Sequence, residues 1–518
     1  MKKYFILPLS LFILFLSCSC TEDNNAPVTD NISDKIQPVS SLSAVPTEKE
    51  NQLCISWKNP NDNDLLKVEI SYSTNVKNTT KASPNPILVN AEKGSESLIY
   101  IDLPYYSTYT VSAIAINKAG LKSAAVTTTA TPLKPEDPDH PTPVFLQRAD
   151  ILMSSLIKRY LLGPRDVWKG KWPNPTGYWD GDAVVWGQGG GFSGYVALRE
   201  ASLGIEEYES KYTGTFDDRM LKSINQFLIR DTRNNVLGYS VYPASGNDRF
   251  FDDNVWIGLD MADLYMQTKK TGYLNYAKIV WKLLQTGRDN TLGGDGIYWQ
   301  ELPQKSNTKN TCSTAPAAVL ATKLYLATGE GEYLEDAKKL YAWVKKMLQD
   351  PADYLYWDNI GPGENDQYSI SKAKYTYNSG QPMQAACLLY KITRDPQYLT
   401  DAQNIARSFY SRWFTPFTSY ATSESFRIPN PGEHMWFMAI AFRGFVELYK
   451  IDGDRTYIDN FEKTMTHAWL SDCRNSNTNL LNYNDLRGGI TMTEWEIIHE
   501  GACVEILARL ASLERDGL

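Results

Sequence analysis

The chain of 518 residues carries a net charge of −8 and a pI of about 5.3. That length allows two or more domains, and the acidic balance argues against nucleic acid, whose phosphates call for Lys and Arg patches. With four His and no Cys-x-x-Cys or Cys/His ligand spacing, neither a metal site nor a cofactor is expected.

Lys2-Lys3, the apolar run Phe5 to Leu16 and Ser17-Cys18 read as a secretory signal over residues 1–20. The run is about 12 residues, too short to cross a bilayer. Phe15-Leu16-Ser17-Cys18 resembles a bacterial lipobox, with Phe15 where Leu is usual, and Cys20 is the alternative. Lipidation at Cys18 would tie the protein to a membrane through its N-terminus. Thr21-Glu22-Asp23 resembles the acidic export tag of Bacteroidetes surface lipoproteins. The expected location is therefore the outer membrane, on the cell surface or in the periplasm. Residues 21–36 are polar and read as a flexible tether.

Short alternating runs follow over 37–132. Leu53, Ile55 and Trp57 alternate with polar residues, as do Val68, Ile70 and Tyr72, and Ser97 to Ile101 and Tyr109 to Ile116 are further strands. About seven strands in ~95 residues fit a small all-β sandwich. The module resembles a fibronectin type III domain, an immunoglobulin-like fold. Trp57 stands for its buried strand-B tryptophan, and Leu103, Tyr109, Val111 and Ala113 for its tyrosine corner. Such a module is expected to act as a spacer. Residues 133–143 hold four prolines in eleven positions and read as a stiff linker.

From 144 to 518 one pattern recurs. Leu264-Tyr265 is followed by Tyr273-Leu274, Leu324-Tyr325 by Tyr333-Leu334, Leu389-Tyr390 by Tyr398-Leu399, and Leu448-Tyr449 by Tyr457-Ile458. The two tyrosines are always eight apart, and the units recur about every 60 residues, the signature of stacked helical hairpins. Six such hairpins fill the region and predict about twelve helices in an all-α (α/α)6 barrel. An open solenoid is the competing architecture. The ring is favoured because long aromatic connections each lead into a helix N-terminus. They include Gly177 to Asp182, Tyr239 to Asp253, Gly293 to Glu301 and Tyr375 to Gly380, and all should gather around one mouth.

The stretch Arg249-Phe250-Phe251-Asp252-Asp253-Asn254-Val255-Trp256 opens a strong helical pattern. One Asp could cap the helix. Two side by side among aromatics supply what sugar cleavage needs: a nucleophile, a proton donor and faces for a pyranose. Glu301, Glu424 and Glu433 are rival carboxylates. Trp186 and Trp256 lie within helical patterns and are expected in the core, and Gly189-Gly190-Gly191 is expected to allow close helix packing rather than to bind phosphate.

Together Trp179-Asp180-Gly181, Phe251 to Trp256, Gly294 to Gln300 with Lys309-Asn310, Tyr375 to Gly380 and Ala502 to Ala508 resemble glycoside hydrolase family 76, the bacterial endo-α-1,6-mannanases. The resemblance implies an (α/α)6 barrel and retention of anomeric configuration, with Asp252 as nucleophile and Asp253 as acid/base. It implies an α-mannan polysaccharide as substrate. From their residue types, Trp179 and Trp299 are read as platforms for a sugar ring rather than core, Tyr377 and Asn378 as partners of sugar hydroxyls rather than a helix cap, and Asp182 and Gln300 as further contacts. A monomer is expected. The alternatives are a non-catalytic surface glycan-binding lipoprotein, or a different (α/α)6 polysaccharide-degrading enzyme.

Overall fold

The computed structural model describes residues 36–47, 49, 52–74, 86–103, 108–132, 142–163, 165–175, 181–232, 234–243, 248–301, 307–364 and 367–518. The signal segment with Cys18, the tether up to residue 35, most of the linker and Trp179 lie outside them. Two compact units divide between Pro132 and Leu133.

The first unit holds seven strands: β1 (Ser40–Pro46), β2 (Gln52–Lys58), β3 (Leu65–Thr74), β4 (Ile87–Asn90), β5 (Glu96–Asp102), β6 (Tyr109–Asn117) and β7 (Val126–Ala130). They form two antiparallel sheets, ordered β1-β2-β5 and β4-β3-β6-β7. The period of two sends Leu53, Ile55 and Trp57 of β2, Val68 and Ile70 of β3, and Val111 and Ala113 of β6 into one core shared by both sheets. Trp57 keeps its buried indole N–H satisfied by donating to Asn59 Oδ1 at 2.7 Å.

The second unit is helical: α1 (Val144–Tyr160), α2 (Val185–Ser202), α3 (Glu206–Tyr212), α4 (Thr215–Asn225), α5 (Phe251–Thr268), α6 (Thr271–Thr286), α7 (Thr311–Thr328), α8 (Gly331–Leu348), α9 (Thr376–Thr393), α10 (Pro396–Trp413), α11 (Met435–Asp452), α12 (Thr456–Leu470) and α13 (Ile497–Arg515). Helices α2, α5, α7, α9, α11 and α13 pack each on the next, and α13 returns to α2, so the inner ring is closed. Helix α7 buries side chains on every face from Thr311 to Leu324, whereas its partner α8 buries only Ala337, Leu340, Tyr341, Trp343, Val344 and Leu348, the one-sided pattern of an outer helix. The short helices α3 and α4, both packed on α2, share one outer place. Among the described residues thirteen helices therefore stand where the repeat predicts about twelve.

The recurring tyrosine marks the end of four of the six inner helices, α5, α7, α9 and α11. The carbonyls of Tyr265, Tyr325, Tyr390 and Tyr449 accept the backbone N–H of Lys269, Gly329, Arg394 and Gly453 at 2.7–2.9 Å, and each donor residue is left-handed, a stop that glycine adopts without strain. Three residues after the tyrosine, Thr268, Thr328 and Thr393 accept the N–H that starts the turn, and Asp452 takes their place in the fourth hairpin. This turn chemistry fixes the eight-residue spacing.

The ring closes where backbones touch. A Cβ on Gly190 would lie 2.7 Å from Ile498 Cα, one on Gly194 would lie 2.6 Å from the Gly501 carbonyl oxygen, and one on Gly501 would run into the Gly190 carbonyl. The glycine run is thus a packing device, as its sequence context predicts. Replacing Gly501 with Ala should cost about 2–3 kcal/mol of stability through overpacking. Gly189→Ala, where the added methyl meets nothing within 4 Å, should be neutral or stabilising by up to ~1 kcal/mol. Urea unfolding of the full chain separates the two, and equal effects would refute the seam.

Candidate active site

Three of the connections predicted to form a mouth, Tyr239 to Asp253, Gly293 to Glu301 and Tyr375 to Gly380, do so at the N-terminal ends of the inner helices, whereas Gly177 to Asp182 lies mostly outside the described residues and adds no described lining residue. A cavity of about 690 Å³ is lined by Val184 and Trp186 at α2, Phe250, Asp252 and Asp253 at α5, Asn310 and Cys312 at α7, Tyr375 and Tyr377 at α9, and Trp436 and Phe437 at α11. Val241, Trp299, Asn307, Thr308, Asp358 and Asn359 complete the lining from the connections. The N-cap residues of α2, α5, α7, α9 and α13 make no side-chain cap bond, which leaves first-turn N–H groups for other acceptors at this end.

The start of α5 is locked from both sides. Phe250, not an aspartate, is the N-cap residue, and Asp252 and Asp253 stand in the first turn. Fully buried Asn254 clasps the incoming chain, accepting from Tyr239 N at 2.6 Å and donating to Tyr239 O and Phe250 O at 2.8 Å. Opposite, the Trp299 carbonyl accepts Phe251 N–H at 2.8 Å. The Trp299 indole then donates to Asp252 Oδ2 at 3.0 Å. The other oxygen, Oδ1, makes no fully formed hydrogen bond among the described residues, although the Cys312 thiol faces the carboxyl and favours its charged form.

The two carboxyls differ in environment. Burial pushes Asp252 up to about 6, while the Trp299 indole and first-turn backbone N–H groups hold it down. Asp253 lies well above the ordinary carboxylate range because it is buried and faces the charges of Asp252 and Asp248, with no donor among the described residues to offset them. Both retain a partly exposed edge toward the cavity, and that edge, rather than the dense protein around them, decides access.

Aromatic rings form two walls. On one side Trp299, 39% exposed, packs on Phe250 with ring centroids 4.8 Å apart. On the other, Trp186 stacks on His434 (5.5 Å, 12° between planes), His434 on Phe437 (4.0 Å) and Phe437 on Tyr377 (3.9 Å, 9°). Burial pushes His434 down to about 3, which keeps this stack neutral. A polar patch from Asn307, Thr308, Asn310, Asp358 and Asn359 completes the surface.

The sequence-predicted residues divide accordingly. Asp252, Asp253, Trp299 and Tyr377 line the cavity. Trp179 lies outside the described residues. Asp182 is not among the lining residues: Arg165 Nε at 2.8 Å and Lys169 Nζ at 2.7 Å occupy its carboxylate. Gln300 turns away to donate to Asp248 Oδ1 at 2.9 Å. Asn378 is fully buried behind the wall and donates to Asp358 Oδ1 at 3.1 Å. None of the three rival carboxylates lines the cavity. Glu301 is held by Arg249 at 2.5 and 2.7 Å, Glu424 sits in a strand connection and Glu433 before α11. Trp256 is core, but Trp186 is not, because the first turn of α2 faces the mouth. Asp358 and the Trp436-Phe437 pair were missed; position at an inner-helix entrance would have found the pair.

Residues 149–490 match glycosyl hydrolase family 76. The chain belongs to that family. A family 76 glycoside hydrolase from a bovine Bacteroides thetaiotaomicron strain is 41% identical, with 92% of this chain and 100% of that one covered at a TM-score of 0.70. A family 76 mannosidase of Bacteroides thetaiotaomicron is 50% identical, over 72% of this chain and 100% of that one, at a TM-score of 0.69. The mannan endo-1,6-alpha-mannosidase of Candida glabrata is 22% identical over 220 residues, 41% of this chain and 46% of that protein. The chain thus spans less than half the length of the curated relatives it matches.

Because the indole N–H stabilises the ionised form of Asp252, Trp299→Phe should raise its midpoint from about 6 by about one pH unit, the equivalent of ~1.4 kcal/mol. A carbon-13 NMR titration of labelled Asp carboxyls reads this directly; an unmoved midpoint would show that the bond carries no charge stabilisation.

Proposed function

We propose that this family 76 protein is a retaining, endo-acting hydrolase of α-1,6-linked mannan, with Asp252 as nucleophile and Asp253 as acid/base. The observation that carries the reading is the pair itself. Two adjacent carboxyls lie between aromatic walls, one supplied with donors that favour its charge and one without. Asp252, ionising first, would attack the anomeric carbon while protonated Asp253 gives its proton to the leaving oxygen. Asp253 would then take a proton from the water that hydrolyses the glycosyl-enzyme. Neighbouring Cα atoms are ~3.8 Å apart, which favours the close carboxyls of a retaining pair over the ~6.5–9.5 Å of an inverting one. The 1,6-mannan linkage comes from the names of the curated relatives. A cavity lined by three Asp and no Lys or Arg among the described residues suits a neutral polymer. A binding-only protein would have no use for two carboxyls with divided proton affinity.

Incubation with linear α-1,6-mannan should release oligosaccharides. Asp252→Asn and Asp253→Asn should each lose activity by several orders of magnitude while staying folded. With a leaving group that needs no protonation, Asp253→Asn should yield a glycosyl azide when azide is added, and Asp252→Asn should not with retention. A reversed pattern exchanges the roles. If neither substitution matters, the pair is only part of a helix entrance.

Around this unit we infer an immunoglobulin-like spacer resembling fibronectin type III, supported by its three- and four-stranded sheets with a common core. We also infer a monomer, held at the outer membrane by a lipid on Cys18. Fatty-acid labelling should tag the wild type and be lost in Cys18→Ala. Labelling that persists there and disappears in Cys20→Ala moves the anchor, and no labelling at all removes it.

A further inference from the structure

Lys309 has no exposed side-chain surface, and an unpaired ammonium in such a place would cost several kcal/mol. Its Nζ is met by four oxygens: the carbonyls of Asp289 at 2.8 Å, Thr291 at 2.9 Å and Gly294 at 3.0 Å, and Asp289 Oδ1 at 2.9 Å. These distances are those of N–H···O bonds, longer than the ~2.3–2.6 Å of a calcium cage. The loop from Gly287 to Tyr298 is wound around this ammonium. Its sharp bend uses Gly293 and Gly294 at φ of +81° and +91°. Asp289 is held in turn by Thr291 Oγ1 at 2.6 Å and Tyr298 OH at 2.9 Å, and the Tyr298 ring lies 5.3 Å from Nζ.

The cage is joined to the cavity by backbone. Tyr298 pairs with Lys309 as a β-bridge, and Trp299 N–H donates to Thr308 O at 3.3 Å. The next links are the Trp299 carbonyl on Phe251 N–H and the Trp299 indole on Asp252. We propose that Lys309 is a built-in cation that holds the Gly287–Tyr298 loop wound and thereby positions the Trp299 indole on Asp252. Lys309 does not line the cavity, so it is a positioning residue. Its consequence for catalysis rests on the reading of Asp252 as nucleophile; the placement of the indole does not.

The test uses the full chain with nitrogen-15 in its Trp indoles, the Trp299 signal being assigned by its absence in Trp299→Phe. In the wild type that signal should follow the ionisation of Asp252 near pH 6. In Lys309→Met it should no longer do so, and the acidic limb of kcat/KM should rise by about one pH unit, an extra loss of about tenfold at pH 5. In a Trp299→Phe background Lys309→Met should add no further shift of the limb. Asp289→Asn keeps the ammonium but removes the carboxylate from the cage. It should move signal and limb the same way by less, and it decides the matter if Lys309→Met does not fold. A Trp299 signal that titrates as in the wild type in the folded variants overturns the proposal, whatever the activity. If the signal is lost but Asp252→Asn stays active, the nucleophile assignment falls and this positioning role stands.

Discussion

Closure of the inner ring depends on backbone-to-backbone contact between α2 and α13. Glycines at 190, 194 and 501 let carbonyls and Cα atoms approach where any side chain would hold them apart. Without that approach the hairpins could continue as an open stack, with their entrances spread along an edge. With it, the entrances gather at one end, and residues from five inner helices share a site. The glycines thus act on the chemistry only through geometry, by setting the circumference of the ring.

Within that ring the cavity divides labour by hydrogen bonding. Burial raises both Asp252 and Asp253, and the environment then separates them. Asp252 has an indole and backbone donors; Asp253 has two negative neighbours. One contribution to this difference comes from outside the α5 entrance: the indole of Trp299, whose backbone is tied to Thr308, next to Lys309. Two acids that are consecutive in the chain are thereby made more unequal by a donor 47 residues away.

Much of this was legible in the sequence. The Leu-Tyr…Tyr-Leu unit is visible because each tyrosine sits four residues before a left-handed cap, a local constraint that the chain repeats. The mouth followed from aromatic connections entering helix starts, and the Asp pair from its redundancy as a cap. What was missed depended on long-range partners. Asp182 looks like a sugar ligand until Arg165 and Lys169 claim it, and Asn378 until Asp358 does. Trp186 has the helical periodicity of a core residue, and only its place in the first turn of an inner helix turns it toward the cavity. Asp358 lies in a short connection with no periodicity to mark it.

The uncapped entrances of α2, α5, α7, α9 and α13 have an electrostatic consequence. Each presents the positive end of a helix macrodipole, roughly half a charge, felt within the first turn. Four of them, those of α2, α5, α7 and α9, place residues in the cavity lining, where they favour carboxylates and, in the proposed reaction, oppose the positive charge that would grow on a sugar as its glycosidic bond breaks. An acid pair alone must work against that field. The third carboxyl, Asp358, held by Asn378 and Asn359, would, when ionised, act as a counterweight in a lining that holds no Lys or Arg among the described residues.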